Sequence, residues 1–190
     1  MLRLLSETSQ EWINRVMRDF DLFLLDHAAC EKKASAMAMG MVAHYPDRKQ
    51  LVRAMIDLAL EELEHFSQVY HLIEIRNLQL GADEKDPYIN QLLKQARHPS
   101  DLYFLDRLLL AGIIEARGCQ RFHCVAQNLR DEKLKQFYKQ LATVEAKHHH
   151  IFIQLAQTYF NADEVETRLT ELLHIEADIV SRLPIRAAVH

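Results

Sequence analysis

Glycine and proline are scarce, four of each in 190 residues. So few breakers exclude a chain of short strands and tight turns, and they favour long helices. Long apolar runs are missing too. No stretch of 18 apolar residues occurs, so no membrane-spanning helix is expected. The apolar part of MLRLLSETSQEW is too short for a signal peptide. Cysteine is limited to Cys30, Cys119 and Cys124, an odd count with no CxxC pair. Reduced thiols in a cytoplasm are the simplest account. Net positive charge is lacking as well. A net charge of −4 is a mild argument against a broad phosphate-tracking surface, and no DNA partner is expected. Gly-rich phosphate loops and Ser-His-Asp patterns do not occur. What remains, 49% hydrophobic residues with no shift in composition, predicts one helical domain over residues 1–190.

Against that background one motif occurs twice. A lone glutamate, Glu31, is followed by Glu62-x-x-His65. A second, Glu115, is followed by Glu145-x-x-His148. A single Glu-x-x-His means little, since this composition yields about one by chance. Glu171-x-x-His174 is that chance instance, for it has no lone glutamate about thirty residues upstream. Spacing makes the other two specific. Two residues face each other across a helical hairpin when the turn lies midway. The midpoint of 31 and 62 falls at Pro46-Asp47, a helix break followed by a cap. The midpoint of 115 and 145 falls in Asn128-Leu129-Arg130-Asp131, with Asp131 as the cap. Each arm is then about 15 residues, or roughly 22 Å of helix.

The neighbours predict burial. Glu31 shares a helical face with Leu24, Ala28 and Ala38, and Glu62 with Met55, Leu58 and Val69. Glu115 shares one with Leu108, Gly112 and Phe122, and Glu145 with Leu141 and Phe152. Clustered carboxylates on apolar faces repel and are costly to bury. Two divalent ions cancel four negative charges. Four glutamates and two histidines therefore predict a dimetal site in a four-helix bundle. The oxygen-rich donor set suits iron, with manganese also compatible, better than zinc. His149, at i+4 from Glu145, competes with His148 as ligand; the i+3 spacing of His65 favours His148. His27, at i−4 from Glu31, reads as a packing or ligand-supporting histidine. Small residues such as Ala28, Ala38, Ala111 and Gly112 serve either close helix packing or a cavity.

A capping box at Thr8-Ser9-Gln10-Glu11 predicts a leading helix over about 9–17. Bundle helices follow over about 19–44 and from Asp47 to Leu80, the latter closed by Gly81. A crossover over 81–99 holds one short helix near 88–97. The third bundle helix runs to about 128, capped by Ser100 or Asp101, and the fourth spans 131–160. Asn161 caps a final helix to about Ser181. The result is an all-α, ferritin-like four-helix bundle: two antiparallel hairpins joined by a long crossover, with extra N-terminal, crossover and C-terminal helices. Local basic clusters, among them Lys32-Lys33, Arg117 with Arg121 and Lys133-Lys135-Lys139, read as solvated helix faces.

The stretches LLDHAACEKKASAMAMGMV around Glu31 and AGIIEARGCQRF around Glu115 resemble the tRNA hydroxylase family usually called MiaE. The resemblance covers nearly the whole chain. It implies a ferritin-like diiron monooxygenase that uses O2 and a separate electron-transfer protein. The implied reaction hydroxylates the isopentenyl group of 2-methylthio-N6-isopentenyladenosine beside the tRNA anticodon. All six implied iron ligands are present: Glu31, Glu62, His65, Glu115, Glu145 and His148. Lys32, Lys33, Arg117 and Arg121 lie next to metal glutamates and are expected to ring a tRNA entrance. The alternatives are another diiron oxidase acting on a small molecule, or a bacterioferritin-like ferroxidase that stores iron.

Overall fold

The computed structural model describes residues 2–98 and 100–190. Its elements are all helical: α1 Gln10–Arg18, α2 Phe20–His44, α3 Lys49–Ile75, α4 Pro87–Leu93, α5 Ser100–Asn128, α6 Glu132–Glu145, α7 His148–Tyr159 and α8 Ala162–Arg182. No helix among the described residues is long and apolar enough to cross a membrane. The residues fall into two compact units, one of 14–84 with 186–189, the other of 1–13, 85–185 and 190.

The first unit is the hairpin of α2 and α3. Tyr45-Pro46-Asp47 is the turn, as the sequence predicts, but Arg48 takes the cap position and Asp47 stays in the turn. The buried stripe of α2 includes Phe23, Leu24, Ala28, Ala38 and Met41. That of α3 includes Leu51, Met55, Leu58, Val69 and Ile73. Both recur at helical spacing, so the hydrophobic effect closes the hairpin. The expected end of α3 at Gly81 is corrected to Ile75. Asn77 sits in the left-handed region with φ 54°. Its N–H bonds Glu74 O and the Leu78 N–H bonds Ile73 O, both at 3.0 Å. This pair of bonds ends a helix whenever a residue tolerates positive φ, and asparagine is the usual choice after glycine.

The second unit is built around α5, which packs on α6 and α7 and also touches α4 and α8. Asp131 caps α6 as predicted, accepting from the Lys133 and Leu134 N–H groups. Asn161 caps α8, accepting from Asp163 N–H. Asp86 caps α4, with Pro87 in its first turn. Ser100 is the first residue of α5 rather than its cap. At the chain start Ser9 Oγ accepts from Trp12 N–H at 3.2 Å, while Thr8 Oγ1 donates to Gln120 Oε1 at 2.8 Å. The cap is therefore Ser9 alone, not the Thr8–Glu11 box.

The expected single helix over 131–160 is divided. Lys147 N–H bonds Val144 O at 3.0 Å and His150 N–H bonds Lys147 O at 3.1 Å. These i→i−3 bonds tighten one turn between Glu145 and His148 and restart the helix at His148. Gly112 lets α5 approach α7 here. A Cβ on it would meet Ile153 Cδ1 at 3.3 Å and His149 O at 3.4 Å. At this position the small residue serves close packing.

Two ion pairs to one buried carboxylate fasten the second unit. Asp106 is fully buried. It accepts from Arg97 Nη2 at 2.7 Å and from Arg168 Nη2 at 2.9 Å. Burial alone would raise its pKa, but the hydrogen bonds from Arg97 and Arg168 outweigh it and hold the carboxyl below its ordinary value. A carboxyl with a depressed folded pKa contributes stability above its unfolded pKa of about 3.9, and loses it as pH falls through the folded value. Acidification below about pH 4 is therefore expected to lower the melting temperature of the wild type. Asp106→Asn should be less stable at neutral pH, with a flatter profile below that point. Parallel melting profiles of the two proteins would remove Asp106 as a source of the acid sensitivity.

Candidate metal centre

In the hairpin of α2 and α3, Glu31 and Glu62 lie on facing helices, and His65 follows one turn after Glu62. One donor atom from each of the three lies within 4.8 Å of the other two. All three are buried, with Glu62 at 0% exposure and Glu31 at 4%. His65 Nδ1 faces Glu62 Oε2 at 3.4 Å. The Glu31 carboxylate is held from behind, where His27 Nε2 lies 2.5 Å from its Oε1. Burial, reinforced by nearby His65 and opposed by Glu62, pushes the His27 pKa down to about 3. A neutral His27 with its proton on Nε2 donates to Glu31 and fixes the orientation of that carboxylate. Such partners of metal-binding groups govern their geometry and basicity.

The second unit repeats the arrangement. Donor atoms of Glu115, Glu145 and His148 also lie within 4.8 Å of one another. His148 Nδ1 is 2.8 Å from Glu145 Oε2 and 4.0 Å from Glu115 Oε2. Glu145 and His148 are buried, and the Glu115 side chain is 11% exposed. The structure thus brings the six sequence-predicted donors into two triads of two carboxylates and one imidazole.

The donors fit a metal on their own chemistry. Each triad gathers two carboxylates away from water, at a cost that a divalent cation offsets. Both imidazoles turn Nδ1 toward the glutamate three residues earlier. No thiolate joins either set. The Cys119 Sγ donates to Ala142 O at 3.4 Å, and burial with Glu145 and Glu115 nearby pushes its pKa up to about 11. It is a packed thiol.

The competing histidine joins neither triad. His149 accepts the Leu2 N–H on Nε2 at 3.0 Å. Burial first, then His150 and His148, lowers its pKa to about 4. The Glu171-x-x-His174 pair lies on the surface, with Glu171 bound to Arg168 at 2.7 Å. Glu61, next to Glu62 in the chain, is exposed.

The basic residues assigned to a tRNA entrance divide. Lys32 is exposed and pairs with Asp83 at 2.8 Å, and Lys33 donates to Glu84 O at 2.8 Å. Arg117 and Arg121 do not ring an entrance. Arg117 is fully buried, with Nε 2.8 Å from Glu176 Oε1 and Nη2 3.0 Å from Glu176 Oε2. Arg121 is 7% exposed and lies over the Trp12 ring, 4.9 Å from its centroid. Nothing local in the sequence signals these partners, since Glu176 is 59 residues from Arg117 and Trp12 is on a different helix.

Helical hairpins that present Glu, Glu and His in this way define the class of ferritin-like proteins with carboxylate-rich metal sites. Comparison with known proteins gives the particular family. The profile of the family described as MiaE, tRNA-(MS[2]IO[6]A)-hydroxylase, matches residues 2–190, and the chain belongs to that family. It is 33% identical over 166 residues to the tRNA 2-(methylsulfanyl)-N(6)-isopentenyladenosine(37) hydroxylase of Pseudomonas putida, covering 87% of this chain and 80% of that protein. It is 34% identical over 155 residues to the hydroxylase of the same name from Salmonella typhimurium. That match covers 82% of this chain and 56% of the Salmonella protein. Among solved structures it resembles a Synechococcus protein described as having aldehyde deformylating oxygenase activity. The TM-score there is 0.93 at 32% identity, over 98% of this chain and 93% of the other.

Proposed function

We propose that this protein is a diiron monooxygenase that hydroxylates the isopentenyl group of 2-methylthio-N6-isopentenyladenosine in tRNA. It would draw on O2 and on electrons from a separate electron-transfer protein. The observation that carries this reading is the pair of Glu, Glu, His triads in a chain that matches the tRNA hydroxylase family from end to end. Glu31, Glu62, His65, Glu115, Glu145 and His148 are the proposed ligands of two iron ions, the two units acting as one ferritin-like domain. Four carboxylates and two imidazoles favour iron, and manganese is compatible. A bound metal pair of this kind supplies O2 activation toward an unactivated C–H bond. The chain's own part is to bind and orient. His27 holds the Glu31 carboxylate in one orientation, and the apolar surroundings would keep water from the reacting group. Lys32 and Lys33 are proposed as tRNA contacts. A tRNA substrate places the enzyme in the cytoplasm.

The test is mass spectrometry of tRNA nucleosides from aerobically grown cells with and without the gene. Loss of the hydroxylated nucleoside with accumulation of its unhydroxylated precursor is expected. An unchanged nucleoside profile in cells with no second hydroxylase would reject the reading. The Synechococcus neighbour favours a second reading, deformylating oxygenation of an aldehyde. Turnover of such an aldehyde by the purified iron-loaded protein, with tRNA untouched, would favour it.

A further inference from the structure

A protein of net charge −4 that handles a polyanion needs a local surface free of carboxylates. Beyond Asp131 and Glu132 at its start, both exposed, the α6–α7 segment is such a surface. From Lys133 to Ala162 the only acidic residue is Glu145, and it is 97% buried, with 3% of its surface exposed. Lys133, Lys139 and Lys147 are exposed. None of their side chains has an ion pair or hydrogen bond among the described residues. Gln136, Gln140 and Thr143, also exposed, lie among them and are neutral. On α6, positions 133, 136, 139, 140 and 143 recur at intervals of three and four, so they form one stripe, and Lys147 stands in the turn that leads into α7. The helical part, from 133 to 143, is about 15 Å long at 1.5 Å per residue.

Other outer faces differ. That of α3 exposes Asp57, Glu61, Glu64 and Glu74, and that of α8 exposes Asp163, Glu164 and Glu166. Both repel a phosphate backbone. Lys32 and Lys33 already have oxygen partners in Asp83 and Glu84, so much of their charge is answered before any tRNA arrives.

We propose that the outer face of α6 and the start of α7, through Lys133, Lys139 and Lys147, is the principal surface that grips the phosphodiester backbone of the tRNA. The inference rests on the tRNA hydroxylase reading. The same two helices carry Glu145 and His148 on their buried side, so a backbone held outside is registered against that triad. Phosphate contacts of this kind position a nucleic acid without reading its sequence.

The test is fluorescence anisotropy with the iron-loaded full chain and an anticodon stem-loop RNA bearing isopentenyladenosine, from 50 to 200 mM salt. The variant Lys133→Gln/Lys139→Gln/Lys147→Gln is expected to bind at least about tenfold more weakly. Its log–log salt slope should be shallower by roughly 2, at about 0.7 per lost contact. Each single Lys→Gln variant should take roughly a third of that change in slope, which gives an answer even if the triple variant folds poorly. Lys32→Ala/Lys33→Ala should have the smaller effect. Wild-type affinity and slope in the triple variant, with RNA still bound and hydroxylated by the wild type, would overturn this surface alone. A wild type that binds no RNA would overturn the tRNA reading and this surface together.

Discussion

Replacing Glu62 by Gln is expected to stabilise the metal-free protein and to destroy the metal-loaded one. Glu62 is 0% exposed and shares its triad with the Glu31 carboxylate. Without a cation, two buried carboxylates repel each other, and each is poorly solvated. The amide keeps the shape and removes one charge, so the melting temperature of the metal-free chain should rise. The loaded chain should behave in the opposite way. A ligand that binds only the folded state adds about 2.7 kcal/mol at one hundred times its dissociation constant. The variant forfeits that gain along with the ligand. Bound iron should fall below two per chain, and hydroxylation should fall by more than the roughly 10–100-fold carried by residues that merely support ligands. His27→Ala belongs in that milder range, with iron affinity reduced roughly 10–100-fold because Glu31 loses its partner. Calorimetry with and without ferrous ion, alongside iron analysis, separates the cases. A Glu62→Gln protein that binds two irons and is stabilised by them as the wild type is would remove Glu62 from the ligand set.

The second large effect concerns Arg117, and it is on stability. Its guanidinium meets Glu176 through two hydrogen bonds of 2.8 and 3.0 Å. Tyr88 donates its hydroxyl to the same carboxylate at 3.0 Å. A third donor of Arg117 reaches Gln120, which also bonds Thr8 and Glu7. One cluster thus ties the N-terminal segment, α4, α5 and α8. Burial alone would lower the Arg117 pKa, but Glu176 more than offsets it and the group stays charged. Arg117→Met leaves the Glu176 carboxylate buried without its cation. Breaking a buried pair from one side costs about 3–5 kcal/mol. At 2–4 °C per kcal/mol for a chain of this size, the melting temperature should fall by roughly 6–20 °C. Replacing all three groups, as Arg117→Met/Glu176→Leu/Tyr88→Phe, should recover most of the loss, because no charge or hydroxyl is then stranded. The salt slope of tRNA binding should not change in the triple variant. A melting temperature within 2 °C of wild type for Arg117→Met alone, well below the range given above, would show that the pair is not a fastening.

Both predictions turn on how far a residue's partner lies along the chain. The two triads were legible because helices impose arithmetic. Two glutamates about thirty residues apart with a turn midway must meet, and i+3 spacing carries each histidine to its glutamate. The turns at 45–47 and 128–131 were legible for the same reason, since Pro46 and Asp131 act on their immediate neighbours. Arg117 was misread because its neighbours Glu115 and Arg121 suggest a site rim, while its partner is 59 residues away. The end of α3 was misplaced because Gly81 looks like the stronger stop. Asn77 reached the left-handed conformation first and closed the helix there. The division between α6 and α7 had no local signal, for Ala146 and Lys147 are ordinary helix formers.

By itself the sequence determined the helical class, the two hairpins and the six residues that the structure gathers into triads, because each depends on periodicity and on neighbours within a few turns. Tertiary structure decided what burial does to charge. It took Arg117 and Arg121 into the interior, gave His149 to the Leu2 N–H group, and left Lys133, Lys139 and Lys147 unpaired at the surface. A side chain's partner and its exposure depend on segments that folding brings together from far along the chain, and no local pattern records which segments those will be.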